Sequence, residues 1–396
     1  MNQTESPSSQ LNRIQQRSLI VGVVGLICCA GGIFLNVEQF FQSYLLGYLF
    51  WIGLTLGCLA ILMLHHLVGG SWGFVIQRPL EAGTRLFPLM ALLFVPLLFG
   101  LQELYIWARP DEVAHDALLQ HKHSYLNPPF FLIRCLVYFS AWIGLAYLLN
   151  RWSLAQDRTA DPSLTRRLKL CSGFGLALYG GTTTLASVDW VMSLEPHWFS
   201  TVYGILFMVG QALTTLAFMI IALAVLAPRK PLSDVVVPQH FHDLGNLMLA
   251  FVMLWAYIAF SQYLIIWSGN LPEEIDWYQH RTGESWKAVA FVLVVFHFFL
   301  PFLLLLSRGT KRKAPIISRL AGLIFFMRLV DLFWLVAPAF HHSSFHLHWL
   351  DLAGPIGIGG IWIAAFIWQL QKRPLIPLHD ARLEAIGGHE QEACHV

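Results

Sequence analysis

The stretch Gly173–Ser200, GFGLALYGGTTTLASVDWVMSLEPHWFS, runs from an apolar, threonine-bearing segment straight into a turn that holds Asp189, Glu195 and His197 within nine residues. Its first part is greasy enough to cross a bilayer core of about 30 Å as a helix. The acids and the histidine then fall where that helix ends. Reading the stretch as a membrane span sets the class of the whole chain, because the same texture recurs along it.

The 396 residues are 56% hydrophobic and only 12% charged, against roughly 25% charged in an ordinary soluble domain. That excludes a soluble enzyme and predicts an all-α polytopic membrane protein; no nucleic-acid partner is expected. At roughly 20 apolar residues per span, ten spans are expected at 18–35, 43–66, 84–107, 129–149, 168–189, 200–226, 243–268, 286–306, 314–336 and 352–371. Residues 1–17 and 372–396 are then terminal tails, with a transmembrane domain over 18–371 between them. The first span lacks a small-residue cleavage site, so it reads as a retained helix rather than a signal peptide.

Alternating the connections puts 19 of the 25 Lys and Arg on one side, the group Arg151 to Lys169 and the group Arg308 to Arg319 among them. The positive-inside rule then places both termini in the cytoplasm. Six scattered cysteines form no CxxC or CxxCH, so neither an iron–sulfur cluster nor a covalent haem is expected in this chain.

Two segment pairs suggest a duplication. ELYIWARPDE (103–112) resembles YLIIWSGNLPEE (263–274), and VDWVMSLEP (188–196) parallels VDLFWLVAP (330–338), each Val-Asp followed by a proline seven residues after the aspartate. The reading is two four-helix units, 43–189 and 200–336, flanked by the first and last spans. Membrane folds built from such repeats often carry their functional groups at the repeat junction.

Charge inside a span costs roughly 2.5–3.5 kcal/mol per residue, so its placement is informative. Glu103, Arg134, Asp189, Arg328 and Asp331 all fall in the outer half; Glu103 and Arg134 lie at matching depth and can pair, and Arg328 and Asp331, three apart on one helix face, can pair directly or share a partner. They read either as structural ion pairs or as a hydrated proton path. His297 is the only histidine near mid-membrane, and one axial ligand does not make a b-type haem site, so it is a polar core residue or a proton relay. On the cytoplasmic side His65, His66, His240, His242 and Asp243 mark a proton-uptake region or a solvated interface. Hydroxyls such as Thr182, Thr183 and Thr184 are expected to bond to their own helix backbone. HHSSFHLHW (341–349) reads as a lid or partner contact with no metal expected, and SGNLPEEIDWYQHRTGE (268–284) as a docking loop.

Two long motifs, ASVDWVMSLEPHWFSTVYG (186–204) and SQYLIIWSGNLPEEIDWY (261–278), together with the ten-span pattern, resemble the ActF-type membrane subunits of alternative complex III, within the NrfD-like (polysulfide-reductase membrane subunit) superfamily. The resemblance runs over nearly the whole chain. It implies a multi-pass subunit of the bacterial inner membrane in a complex that oxidises quinol and passes electrons to cytochrome c or another acceptor. Haem and iron–sulfur clusters are then expected on partners: a multihaem cytochrome c, an iron–sulfur protein and a second NrfD-like subunit, which is regarded as the quinol-oxidising one. For this chain the resemblance implies a structural role and a proton path, with no catalytic residue, no metal and no covalently bound cofactor. The competing readings are an NrfD-like subunit that itself binds quinone or quinol, and a secondary transporter.

Overall fold

A computed structural model describes residues 7–377 apart from Ala160, Glu284, His342 and Ser343. Residues 1–6 and 378–396 of the expected tails, with Arg382 and Cys394, lie outside the described residues, as does His342. The described residues form helices and connecting turns, with no strand among them. The protein is an all-α polytopic membrane protein.

Ten long helices follow one another: α1 Pro7–Gly31, α2 Val37–Val68, α3 Gln77–Phe99, α4 Pro128–Thr159, α5 Pro162–Trp190, α6 Tyr203–Leu226, α7 Pro238–Gly269, α8 Lys287–Leu306, α9 Ala314–Val336 and α10 Leu350–Gln371. Nine are apolar enough along their length to cross a membrane, and α5 is as long but diluted by its glycines and Thr182–Thr184. The first span starts earlier than expected: the polar residues from Pro7 onward continue α1 as helix rather than forming a tail.

The third span shifts in the other direction. It begins at Gln77, and helix geometry ends at Phe99, where Gly100 turns the chain into a separate single turn, Leu101–Leu104. Arg109 then caps the freed carbonyls of Gln102 and Glu103. At the opposite end of α2, Gly69 and Gly70 adopt φ of 75° and 94°, which stops that helix at its histidine pair.

Each four-helix set closes in the same order. α2 packs on α3 and α5, with α4 contacting α3 and α5; α6 packs on α7 and α9, with α8 contacting both. The sets meet through α2, α5 and α6. Where α2 and α6 meet, Gly57 lies so close to Thr215 and the Gln211 carbonyl that a Cβ would fall 2.1 Å from the Thr215 hydroxyl. The central part of α2 is wholly buried, which is why it reads as apolar all round rather than amphipathic.

α1 and α10 flank this body as an antiparallel pair. Gly22 meets Gly360 and Gly25 meets Gly357 backbone to backbone, the small-residue packing that lets membrane helices approach closely. α10 is held to α2 by Asp351, whose carboxylate accepts from Ser43, Gln39 and the His348 N–H.

Contacts between distant segments sort by end. Arg229 reaches Gln10 and Gln371 reaches Asn12 at the lysine- and arginine-rich end. Lys122 reaches the Pro196 carbonyl and His197 reaches Asp116 at the other.

Candidate functional site

The decisive side chains lie along one face of α4. Arg134, Tyr138 and Trp142 recur every four residues, and Asn150, Ser153 and Asp157 continue the same face, all six turned inward. At 1.5 Å per residue the stripe spans about 35 Å, enough to cross the hydrocarbon core.

At the acidic end the stripe meets Asp189 of α5, which has no exposed surface. Arg134 grips the carboxylate with two bonds, Nε to Oδ2 at 2.8 Å and Nη2 to Oδ1 at 3.0 Å, and the Tyr138 hydroxyl donates to Oδ2 at 2.7 Å. Arg134 also has a second set of partners. Its Nη1 donates to the Tyr125 carbonyl at 2.9 Å, and its guanidinium lies 3.9 Å and 4.5 Å from the Tyr125 and Phe130 ring centres. Burial pushes the Tyr125 phenol up to about 12, with the Asp189 charge acting the same way.

Arg134 therefore pairs with Asp189 and not with Glu103. The expected Glu103–Arg134 pair fails because Gly100 ends the third span early, leaving Glu103 half-buried in the short turn beyond it.

At the basic end the stripe meets a carboxylate that sequence reasoning missed. Glu81 of α3 is fully buried and accepts from Arg78 at 2.7 Å, from Arg373 at 3.2 Å, from Gln77 at 3.1 Å and from the Ser153 hydroxyl. Arg78 is shared with Asp157, and Arg373, just past α10, also bonds the Asn150 side chain at 3.0 Å. With the third span expected from 84, Arg78 and Glu81 fall in the connection before it; the helix begins at Gln77 and carries them inside. The four-residue recurrence of polar side chains within α4 was the available signal.

Between the two clusters Trp142 donates to Thr182 at 2.9 Å, and Asn150 donates to Thr84 at 2.9 Å. Leu145, Ala146 and Leu149 fill the eight-residue interval, about 12 Å of helix. The hydroxyls behave mostly as expected, with Thr184 bonding Gly180 and Thr214 bonding Gly210, but Thr215 crosses to the Leu54 carbonyl and Tyr179 to Gln211.

In the second set Arg328 and Asp331 pair on α9, as their spacing indicated. Beside them His297 lies in a π-helical segment, Leu293–Phe299. Pro301 explains the widening: it has no N–H for the His297 carbonyl, and Leu300 instead donates to Val295 five residues back. The His297 ring is fully buried, edge-on to Trp255 at 4.2 Å. Among the described residues neither of its nitrogens has a hydrogen-bond partner, nor does Arg328 Nε, while the Trp255 indole N–H points to Asp331.

The remaining sequence candidates lie at the basic end. His65 and His66 are buried, not solvated, and Gly73 packs so tightly on the His65 ring that a Cβ would fall 2.0 Å from Nδ1. His242 and Asp243 belong to the first turns of α7, where Gln239 donates to Asp243 at 2.7 Å. The short helix Ser71–Phe74 carries Gly73 and packs on α7, so it lies between the two groups.

At the acidic end Glu195 is not a free surface turn. It pairs with the fully buried Arg281 at 2.6 Å, and Arg281 also bonds the Leu335 carbonyl and lies 3.7 Å over the Trp277 ring. The expected docking loop therefore folds its Trp277, Tyr278 and Arg281 inward and keeps Glu273 and Asp276 exposed. His197 does stay exposed, 2.7 Å from Asp116. The Leu119 N–H, with His197 beside it, holds the Asp116 carboxyl below the usual range.

No family model matches the chain, and no curated protein matches it. The geometry itself is thus the main guide to function: two buried carboxylates, one near each membrane face, joined by a single helix face. No group of three or more metal-ligating side chains occurs among the described residues.

Proposed function

We propose that this chain is an integral subunit of a quinol-oxidising complex of the alternative complex III type, in which the α4 stripe carries protons between Glu81 and Asp189. The motifs around Asp189 and Trp267 support the complex type, and the lysine- and arginine-rich end supports a cytoplasmic position for Glu81.

The observation that carries the proton role is that both carboxylates share their arginine with a second acceptor. A proton arriving on Asp189 removes its charge, and Arg134 keeps the Tyr125 carbonyl and two aromatic faces. A proton arriving on Glu81 leaves Arg78 paired with Asp157. Neither event strands a cation in the low-dielectric interior, the usual obstacle to protonating a buried pair. A rigid lock has no use for such a fallback. Crossing the apolar interval requires water or side-chain motion between Trp142 and Asn150.

The test uses the assembled complex. Asp189→Asn and Glu81→Gln keep the shape of each cluster and are expected to lower quinol oxidation or its coupled proton release while the complex still assembles. Unchanged proton yield in both assembled variants rejects the path. Co-purification with a multihaem cytochrome c and an iron–sulfur protein tests the complex type, and function of the chain in isolation would favour a transporter.

Direct quinol binding is the second reading, and one feature favours it. His297 offers a ring donor and a ring acceptor with no partner among the described residues, beside Arg328 and Asp331, the chemistry that a quinol hydroxyl or quinone carbonyl needs. Labelling by a photoreactive quinone that lands on α7 or α8 would support it, and labelling confined to a partner subunit would remove it.

A further inference from the structure

A groove of about 420 Å³ opens between the last turns of α6 and the first turns of α9, at the basic end of the molecule. Ile221, Ala224 and Val225 form its apolar wall, and Ser318 and Gly322 keep the facing side shallow. A Cβ at Gly322 would meet nothing within 4 Å, so the space is open. Val225 is 46% exposed on a membrane-spanning helix, which turns this wall toward lipid.

The mouth is cationic. Arg319 lines the groove, and Lys313 directly precedes its Ala314; both are exposed and enter no ion pair among the described residues. α9 also starts there without a side-chain cap, so the positive end of its dipole faces the same place, although Pro315 has no N–H and the Ile316 and Ile317 N–H groups donate to the Lys313 carbonyl, which leaves the Ala314 N–H. A phosphate suits both features.

We infer that this groove holds one anionic phospholipid, with an acyl chain against the α6 wall and its phosphate at Arg319 and the start of α9. The shape selects a chain and the mouth selects a charge, so a lipid satisfies both where a soluble anion satisfies only one. Nothing in this assignment depends on the proton path.

The experiment is native mass spectrometry of the purified full-length chain, and of its complex, after exchange into phosphatidylglycerol and phosphatidylcholine mixtures. The native chain is expected to retain phosphatidylglycerol in preference. Arg319→Gln combined with Lys313→Gln is expected to abolish the preference, and Gly322→Leu to reduce retention of both lipids. Circular dichroism confirms that each variant is folded, and the surface Arg319 variant serves if Gly322→Leu is not. Equal retention of the two lipids by the native chain overturns the proposal. So does displacement of the lipid by inorganic phosphate alone, or a Gly322→Cys crosslink to a partner subunit in place of lipid.

Discussion

The two four-helix units place an aspartate at corresponding positions, Asp189 and Asp331, yet surround it differently. In the first, the arginine comes from a neighbouring helix, grips the carboxylate through two nitrogens, and spends its third nitrogen on a carbonyl. In the second, the arginine comes from the same helix three residues away, and its Nε has no hydrogen-bond partner among the described residues, nor does the histidine beside it. Buried polar groups are nearly always satisfied, because leaving one unmet costs about 1–3 kcal/mol. The Arg134 guanidinium thus engages each of its nitrogens, while Arg328 leaves Nε without a hydrogen-bond partner among the described residues.

Removing the first arginine breaks the comparison most severely. Arg134→Ala strands Asp189 with no exposed surface and no cation, leaving it the neutral tyrosine donors Tyr138 and Tyr125, a change expected to cost about 3–5 kcal/mol. Arg328→Ala is expected to cost less, since Arg328 grips Asp331 through one nitrogen rather than two and the Trp255 indole remains as a donor. Thermal unfolding in detergent ranks the two, and an equal or reversed order would mean that the units are energetically alike. Next comes Tyr138→Phe, which deletes one hydrogen bond to a buried charge and is expected to cost about 1.5–3 kcal/mol. A loss below 0.5 kcal/mol, on the same rough scale, would show that Asp189 does not depend on it.

Much of this contrast was legible in the sequence, and its gaps have physical causes. Asp189 and Asp331 stood out because charge is rare in apolar runs and their flanks repeat. Arg328–Asp331 followed from a three-residue spacing on one helix. Arg134 was visible but was given the wrong partner, since depth along a helix says nothing about which neighbour it faces, and one glycine at position 100 moved Glu103 out of the span. Glu81 was hidden for the opposite reason. The run from Arg78 to Arg85 is charged enough to look like a connection, and only the partners brought by α4 and by the segment after α10 make it tolerable inside. Arg281 and Glu195 are 86 residues apart, and no local pattern announces a pair at that separation.

His297→Phe sharpens the comparison with the smallest shift and the most specific sign. A side chain that loses no hydrogen bond on replacement gives up only the penalty of an unmet polar group. The variant is therefore expected to be as stable as the native chain or more stable by about 1 kcal/mol, where Tyr138→Phe in the first unit loses stability. His297→Leu, smaller than the ring it replaces, controls for crowding against Trp255. If both variants lose more than about 1.5 kcal/mol, His297 is bonded in the working protein, and the partner must be a water or ligand held against the π-helical turn. If both are stable, the test moves to the assembled complex. A stable variant with slowed quinol oxidation then shows that the unit keeps an unsatisfied histidine for its chemistry, at the expense of its packing.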